Sequence, residues 1–281
     1  MVDTKAEDWV NDLLPSVVRL TREAGQVVLT HYSEINPAVE YKRDHSPLCH
    51  ADMASHHVIL DGLTRLSPEW PVLSEESGEV PFDRRSSWRH FWMVDPLDGT
   101  KEFLRRNGEF TVNIALMDGS VPILGVVYAP ALDLMYFAAK GTGAWKVHGE
   151  TTLRIRAASP ENSAPRVVVS RSHQLGEEVE EVLERFTGTS GDCEFIPMGS
   201  SLKFCLLAEG AADIYPRTGP TMEWDTAAAH CILEEAGGSV VSLDGNAMIY
   251  NKPNLLNPGF MARACSLRGP SSAEVLDTEL Q

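Results

Sequence analysis

Positive charge is what this chain has least of. Its 24 Lys and Arg stand against 40 Asp and Glu, a formal net charge of −16. Nucleic acid is gripped by cations that displace counterions from its phosphates, so polymeric nucleic acid is excluded as a partner. A small anionic ligand is not excluded, provided that bound metal and a few Lys and Arg outweigh the global field locally. Cysteine is scarce too. Cys49, Cys193, Cys205, Cys231 and Cys265 are odd in number and lack CxxC spacing, as expected of reduced, buried thiols in a cytoplasmic protein. The acidic start, Met1 to Asp8, has no apolar core of the kind a signal peptide needs. No apolar run approaches the length of a membrane span, and no repeat or low-complexity tract is found. No obligate protein partner is evident.

What is present is enough apolar material for a large core: 43% of 281 residues are hydrophobic and 23% charged. The texture divides the chain into an α+β lobe over 6–158 and an α/β lobe over 159–266. A small, polar, acidic tail, 267–281, is expected to be disordered.

Trp9, Leu13, Val17, Leu20, Ala24 and Val27 recur at helical spacing and predict an amphipathic first helix. A polar connection, Tyr41 to Asp52, reads as a hairpin or loop, followed by a helix from about Ala51 to Leu66. Pro71 to Ser74 reads as a strand ending in Glu75-Glu76, and Pro81 to His90 as a surface loop. Phe110–Met117, Ile123–Tyr128 and Leu134–Ala139, extended by Ala144–Val147 and Leu153–Ile155, predict an antiparallel meander. Strands near 167–169, 195–197, 214–216 and 240–241 then alternate with helices over 177–186, 202–209 and 224–236. The last of these is stopped by Gly237-Gly238.

One stretch organises the rest. Phe91 to Val94 reads as a buried strand that ends in a turn, Asp95-Pro96-Leu97-Asp98, after which Gly99-Thr100 opens a short helix stopped by Gly108. Pro96 interrupts any ladder. Two acids at a strand end repel unless a cation lies between them, and hard oxygen ligands suit Mg²⁺. Asp52, Glu75 and Asp225 are further acids at element ends. Two-metal hydrolysis of a phosphate ester needs about this inventory: carboxylates to hold the ions, and a pair such as Thr100 and Asp52 to orient and deprotonate water. Helix capping is the plainer account of Asp52 taken alone.

These residues carry a resemblance. Asp95-Pro96-Leu97-Asp98-Gly99-Thr100, Glu75-Glu76 after a strand and Trp224-Asp225-Thr226-Ala227-Ala228 are similar to the signature motifs of the inositol monophosphatase superfamily, in the same order, over residues 10–262. The resemblance implies a layered αβαβα sandwich and a magnesium-dependent, lithium-sensitive phosphomonoesterase. It implies Glu75, Asp95, Asp98, Asp225 and the Leu97 carbonyl as ligands to Mg²⁺, two or three ions, and Asp52 with Thr100 as the water-activating pair.

Gly99-Thr100-Lys101-Glu102-Phe103, Asn107 to Asn113, Ser170-Arg171-Ser172-His173, Gly199 to Cys205 and Tyr215-Pro216-Arg217 resemble one branch of that superfamily, the bacterial 3′(2′),5′-bisphosphate nucleotidases. The branch implies hydrolysis of adenosine 3′,5′-bisphosphate to AMP and phosphate, in sulfur metabolism. Glu75, Leu97, Asp98, Gly99, Thr100 and Asp225 would then meet the scissile phosphate. Ser200, Ser201 and Lys203 would take the second phosphate, Arg217 would add a bidentate contact, and Ser170 and His173 would meet ribose or base. One departure stands out: Cys49-His50-Ala51-Asp52 occurs where related sequences have Thr before the catalytic Asp. His50 there reads as a solvated loop residue, with a weak metal position as the alternative. No Cys or Ser sits in a phosphate-cradling loop, so direct attack by water is expected, without a phosphoenzyme. Alternatives are an inositol monophosphatase or sugar bisphosphatase of the same fold, and a non-catalytic nucleotide- or metal-binding regulator. Family members rest at the inner membrane face, but nothing amphipathic and basic here would anchor the chain.

Overall fold

Val10, Val17, Leu20, Ala24 and Val28 form one buried stripe along α1 (Asp8–Tyr32), which is why this helix packs lengthwise on the protein. The computed structural model describes residues 8–34, 39–41, 47–158, 164–171, 177–187 and 193–264. After α1 comes a hairpin of β1 (Val39–Tyr41) and β2 (Pro47–Cys49), as the polar connection suggested. Helix α2 (His50–Leu66) pairs with α1, and together they cover one face of a seven-stranded sheet.

That sheet has β3 (Val72–Ser74), β4 (His90–Asp98), β5 (Thr111–Asp118), β6 (Val121–Ala129), β7 (Leu134–Ala139), β8 (Gly143–His148) and β9 (Thr151–Ile155) in sequence order. β3 runs parallel to β4, and the rest form the expected antiparallel meander. Strand alternation sends Trp92, Val94, Ile114 and Leu116 toward α1 and α2, and Phe91, Met93, Ala115 and Met117 the other way. This second face meets α6 (Leu202–Ala208) and α7 (Glu223–Glu235), which also cover a five-stranded sheet. Its strands are β10 (Arg166–Ser170), β11 (Glu194–Met198), β12 (Ile214–Arg217), β13 (Ser239–Ser242) and β14 (Phe260–Arg263), in the order β11-β10-β12-β14-β13. Leu183 of α5 (Glu177–Thr187) packs on the far face with Val167, Ile214 and Met261. The layers are α, β, α, β, α.

Four local expectations change. β4 does not end at Val94: its ladder with β5 breaks after Asp95 and resumes at Asp98 opposite Thr111, a bulge around Pro96, which has no N–H to give. Helix α4 (Thr100–Arg105) ends at Arg106, in the left-handed region at φ 58°, before Gly108 is reached. The supposed loop Pro81 to His90 contains α3 (Phe82–Arg85), and Arg85 is buried. β14 has no counterpart in the sequence pattern, because three apolar residues between Gly259 and Arg263 are too short a signal. His173 and the tail 267–281 lie outside the described residues. Among the described residues, no helix is long and apolar enough to cross a membrane.

Candidate active site

On β4, the inward positions Phe91 and Met93 are followed by Asp95, so the alternation that builds the core also aims this carboxylate at α7. The Leu97 N–H donates to Asp95 Oδ1 at 3.0 Å, and Ser55 Oγ of α2 donates to the Pro96 carbonyl at 2.8 Å. Both bonds take up polar groups that the bulge frees from the ladder. The Leu97 side chain is buried in the cluster below α1 and α2. Gly99, at φ 88°, then lets the chain turn into α4, which starts at Thr100.

Asp225 lies in the first turn of α7 and accepts from the Met222 N–H at 2.9 Å, an N-terminal cap. Oxygens of Asp95, Asp98 and Asp225 all lie within 4.8 Å of one another. Glu75 is brought alongside by β3, its N–H donating to the Val94 carbonyl at 3.1 Å. Burial, followed by repulsion from Glu75, Asp98 and Asp225, pushes the Asp95 carboxyl well above the ordinary range. Burial, Asp98 and Glu75 do the same to Asp225. Asp98 Oδ2 accepts from Ser200 Oγ at 2.5 Å and Ser201 Oγ at 3.1 Å. Clustered, mutually repelling hard oxygens fit a divalent cation such as Mg²⁺.

Asp52 occupies the first turn of α2, 1% exposed, on the helix face that also carries Ser55, His56 and Ile59. The Ser55–Pro96 bond turns that face to the bulge between Asp95 and Asp98. His56 Nδ1 and Ser74 Oγ, 2.9 Å apart, join α2 to the residue before Glu75. His50, the first residue of α2, is exposed, which agrees with the solvated reading of it.

A cleft of about 170 Å³ opens beside Asp98 and Asp225. Gly99, Ser170, Ser200, Ser201, Lys203 and Arg217 line it, so these expected residues converge. Lys203 is buried, and that burial draws its ammonium down to about 8 against the opposing pull of Asp98. Its Nζ donates to the Ser200 carbonyl at 2.6 Å and lies 5.5 Å from the Tyr215 ring centre. Arg217 donates to the Gly219 and Pro220 carbonyls at 3.1 and 3.0 Å. Glu75 also borders a separate cavity of about 380 Å³, with Arg85, Met222 and Trp224.

Residues given no role by the sequence reading also build the site. Glu109 takes a two-pronged ion pair from Arg171 at 2.6 and 2.5 Å. Glu223, 0% exposed, accepts from Lys252 Nζ at 2.5 Å and ties residues 251–252 to the start of α7. Arg85 donates to Asn251 Oδ1 and the Pro253 carbonyl, extending that tie to α3.

An αβαβα sandwich with an acid cluster between a broken strand and a helix start defines a class of metal-dependent phosphatases. The model of the inositol monophosphatase family matches residues 9–272, and the chain belongs to that family. It is 48% identical over 253 residues to the 3′(2′),5′-bisphosphate nucleotidase CysQ of Salmonella typhimurium, covering 88% of this chain and 98% of the relative. The CysQ protein of Buchnera aphidicola is 43% identical, covering 93% and 97%. Among solved structures, CysQ from Bacteroides thetaiotaomicron superposes with a TM-score of 0.79 at 40% identity, covering 90% and 97%. The Thermotoga maritima IMPase, at 24% identity and TM-score 0.72 over 90% and 92%, shares the fold.

Proposed function

We propose that this protein hydrolyses the 3′-phosphate of adenosine 3′,5′-bisphosphate, giving AMP and phosphate, with Mg²⁺, two or three ions, as cofactor. The relatives named as bisphosphate nucleotidases support the reaction. The observation that carries the substrate class is one cleft lined by Asp98 and Asp225 together with Lys203 and Arg217. A substrate with two phosphates on one ribose matches that pairing of sites.

Glu75, Asp95, Asp98, Asp225 and the Leu97 carbonyl are the groups that would hold the ions. Bound there, Mg²⁺ would supply charge neutralisation at the phosphate and would acidify a water. Thr100, with Asp52 as the final base, orients that water and takes its proton. The water oxygen bonds to phosphorus in line as the bond to the ribose 3′-oxygen breaks, and that oxygen takes a proton from solvent to become the 3′-hydroxyl of AMP, so no covalent enzyme intermediate forms. Lys203 and Arg217 neutralise the 5′-phosphate, while Ser170 and His173 meet the ribose or base. Lithium sensitivity and a cytoplasmic location belong to the same reading.

Phosphate release with Mg²⁺ from adenosine 3′,5′-bisphosphate, inositol 1-phosphate and fructose 1,6-bisphosphate, side by side, tests this. Strong preference for the nucleotide is expected. Preference for inositol phosphate would overturn the nucleotide pocket, and no release from any would overturn catalysis.

A further inference from the structure

Every second residue leading into and along the start of β5 grips a successive residue of the chain before α6. Glu109 Oε2 accepts the Gly199 N–H at 2.8 Å, Thr111 Oγ1 meets Ser200 Oγ at 2.6 Å, and Asn113 Nδ2 donates to Ser201 Oγ at 2.9 Å. All three are buried, at 8, 0 and 1% exposure. The period is that of a strand, so one polar face is matched to one loop.

The proton count gives this contact a direction. A serine hydroxyl has one proton. Asn113 Nδ2 can only donate, so Ser201 must spend its proton on the site side, where Asp98 Oδ2 lies at 3.1 Å and the Asp225 carbonyl at 2.7 Å. Ser200 Oγ gives its proton to Asp98 Oδ2 at 2.5 Å, so Thr111 donates to Ser200. Ser200 is held at φ 54°, a left-handed conformation costly for a non-glycine residue. The same residue's carbonyl accepts from Lys203.

We propose that Glu109, Thr111 and Asn113 are positioning residues that hold the Ser200 hydroxyl on Asp98 and the Ser201 hydroxyl on the Asp225 carbonyl and Asp98, and so set the affinity of the acid cluster for a divalent cation. Asn113 carries a second mark of this role. Its Oδ1 is buried with no hydrogen-bond partner among the described residues, and Asn113 stands opposite Asp95 in the β4–β5 register. A buried acceptor without a donor is costly, and that cost is carried next to the acid cluster.

The inference rests on reading the acids as a cation site, and calorimetric titration with Mg²⁺ alone, without substrate, tests the two separately. Wild-type protein that takes up no Mg²⁺ would sink both. Thr111→Val and Asn113→Ala should each weaken Mg²⁺ binding ~10-fold or more, the usual cost of losing a partner that orients a ligand. Both should keep a cooperative urea transition. Glu109→Gln, which retains an acceptor for Gly199, should weaken it less. Unchanged Mg²⁺ affinity in the folded variants would overturn the proposal, as would lowered stability with unchanged affinity. Where one variant fails to fold, the others decide.

Discussion

Gly125 of β6 and Ala228 of α7 approach so closely that a Cβ on Gly125 would lie 2.1 Å from the Ala228 carbonyl oxygen. Strand and helix backbones are in direct contact there, with no side chain between them. That contact sets how deeply α7 sits on the sheet, and hence how near Asp225 comes to Asp95 and Asp98.

Gly125→Ala tests this dependence. Neither the strand nor the helix backbone can yield locally, so α7 must move outward. Overpacking of this kind costs roughly 1–3 kcal/mol, read as a lower urea midpoint. Phosphate release should fall further than stability alone explains, with a raised Mg²⁺ requirement. Normal Mg²⁺ dependence in the folded variant would refute the coupling.

Asp95→Asn separates catalysis from stability. Losing this carboxylate should reduce phosphate release by about 10³-fold, a few kcal/mol of transition-state stabilisation. In EDTA the same variant should be more stable than wild type, since burial and three neighbouring acids make the charged form costly. The sign follows from linkage. Asp95 and Asp225 bind protons more tightly folded than unfolded, so folding takes up protons and stability falls as pH rises above the ordinary carboxylate range. Urea midpoints in EDTA across about pH 5 to 8 should fall less steeply for Asp95→Asn. Equal slopes would show that the cluster is not strained.

The acids were legible because their chemistry and their local structure coincide. Asp98 closes β4, Asp95 sits where its ladder breaks, Glu75 follows β3 directly and Asp225 caps a helix, so strand and helix signals fall close to the same positions. The meander and the later strand–helix alternation marked the two lobes, while the layered sandwich was what the family resemblance implied. Arg85 was unreadable for the opposite reason. An arginine in a polar segment belongs on the surface by default, and its partners Asn251 and Pro253 are far away in sequence. Glu109, Thr111 and Asn113 sit in a motif that was noticed, with the spacing of a strand face. Only the folded contact with residues 199–201 reveals what that face holds. Lys203 was expected at the substrate, but its burial comes from α6 packing, which no local pattern records.

Glu223→Gln should be a stability lesion. Glu223 is fully buried and its carboxylate accepts from Lys252 Nζ and from the Asn251 and Lys252 amides. A neutral amide would leave the Lys252 ammonium without its counter-ion, at a cost of about 3 kcal/mol. Adding Lys252→Met should return part of that loss, since the unpaired charge is then gone. A urea double-mutant cycle reads the coupling, and additive losses would refute the ion pair as the source.

Lys203 gives the enzyme a pH limit on its alkaline side. Burial lowers the ammonium to about 8, so it carries its charge below that pH and loses it above. In folding, the ammonium releases its proton more readily than in the unfolded chain, so the charged form costs stability at neutral pH. That cost falls away as pH rises from about 8 to the ordinary lysine value of 10.5. For the proposed reaction the sign is reversed, because Lys203 is proposed to meet the second phosphate with its charge. The value of kcat/KM reports groups of the free enzyme, so it should decline above pH ~8 for adenosine 3′,5′-bisphosphate. Lys203→Met should lower kcat/KM mainly through KM and abolish that limb. A substrate with a single phosphate should show neither effect. An alkaline limb that survives in Lys203→Met would assign the titration to another group and remove Lys203 from the second phosphate.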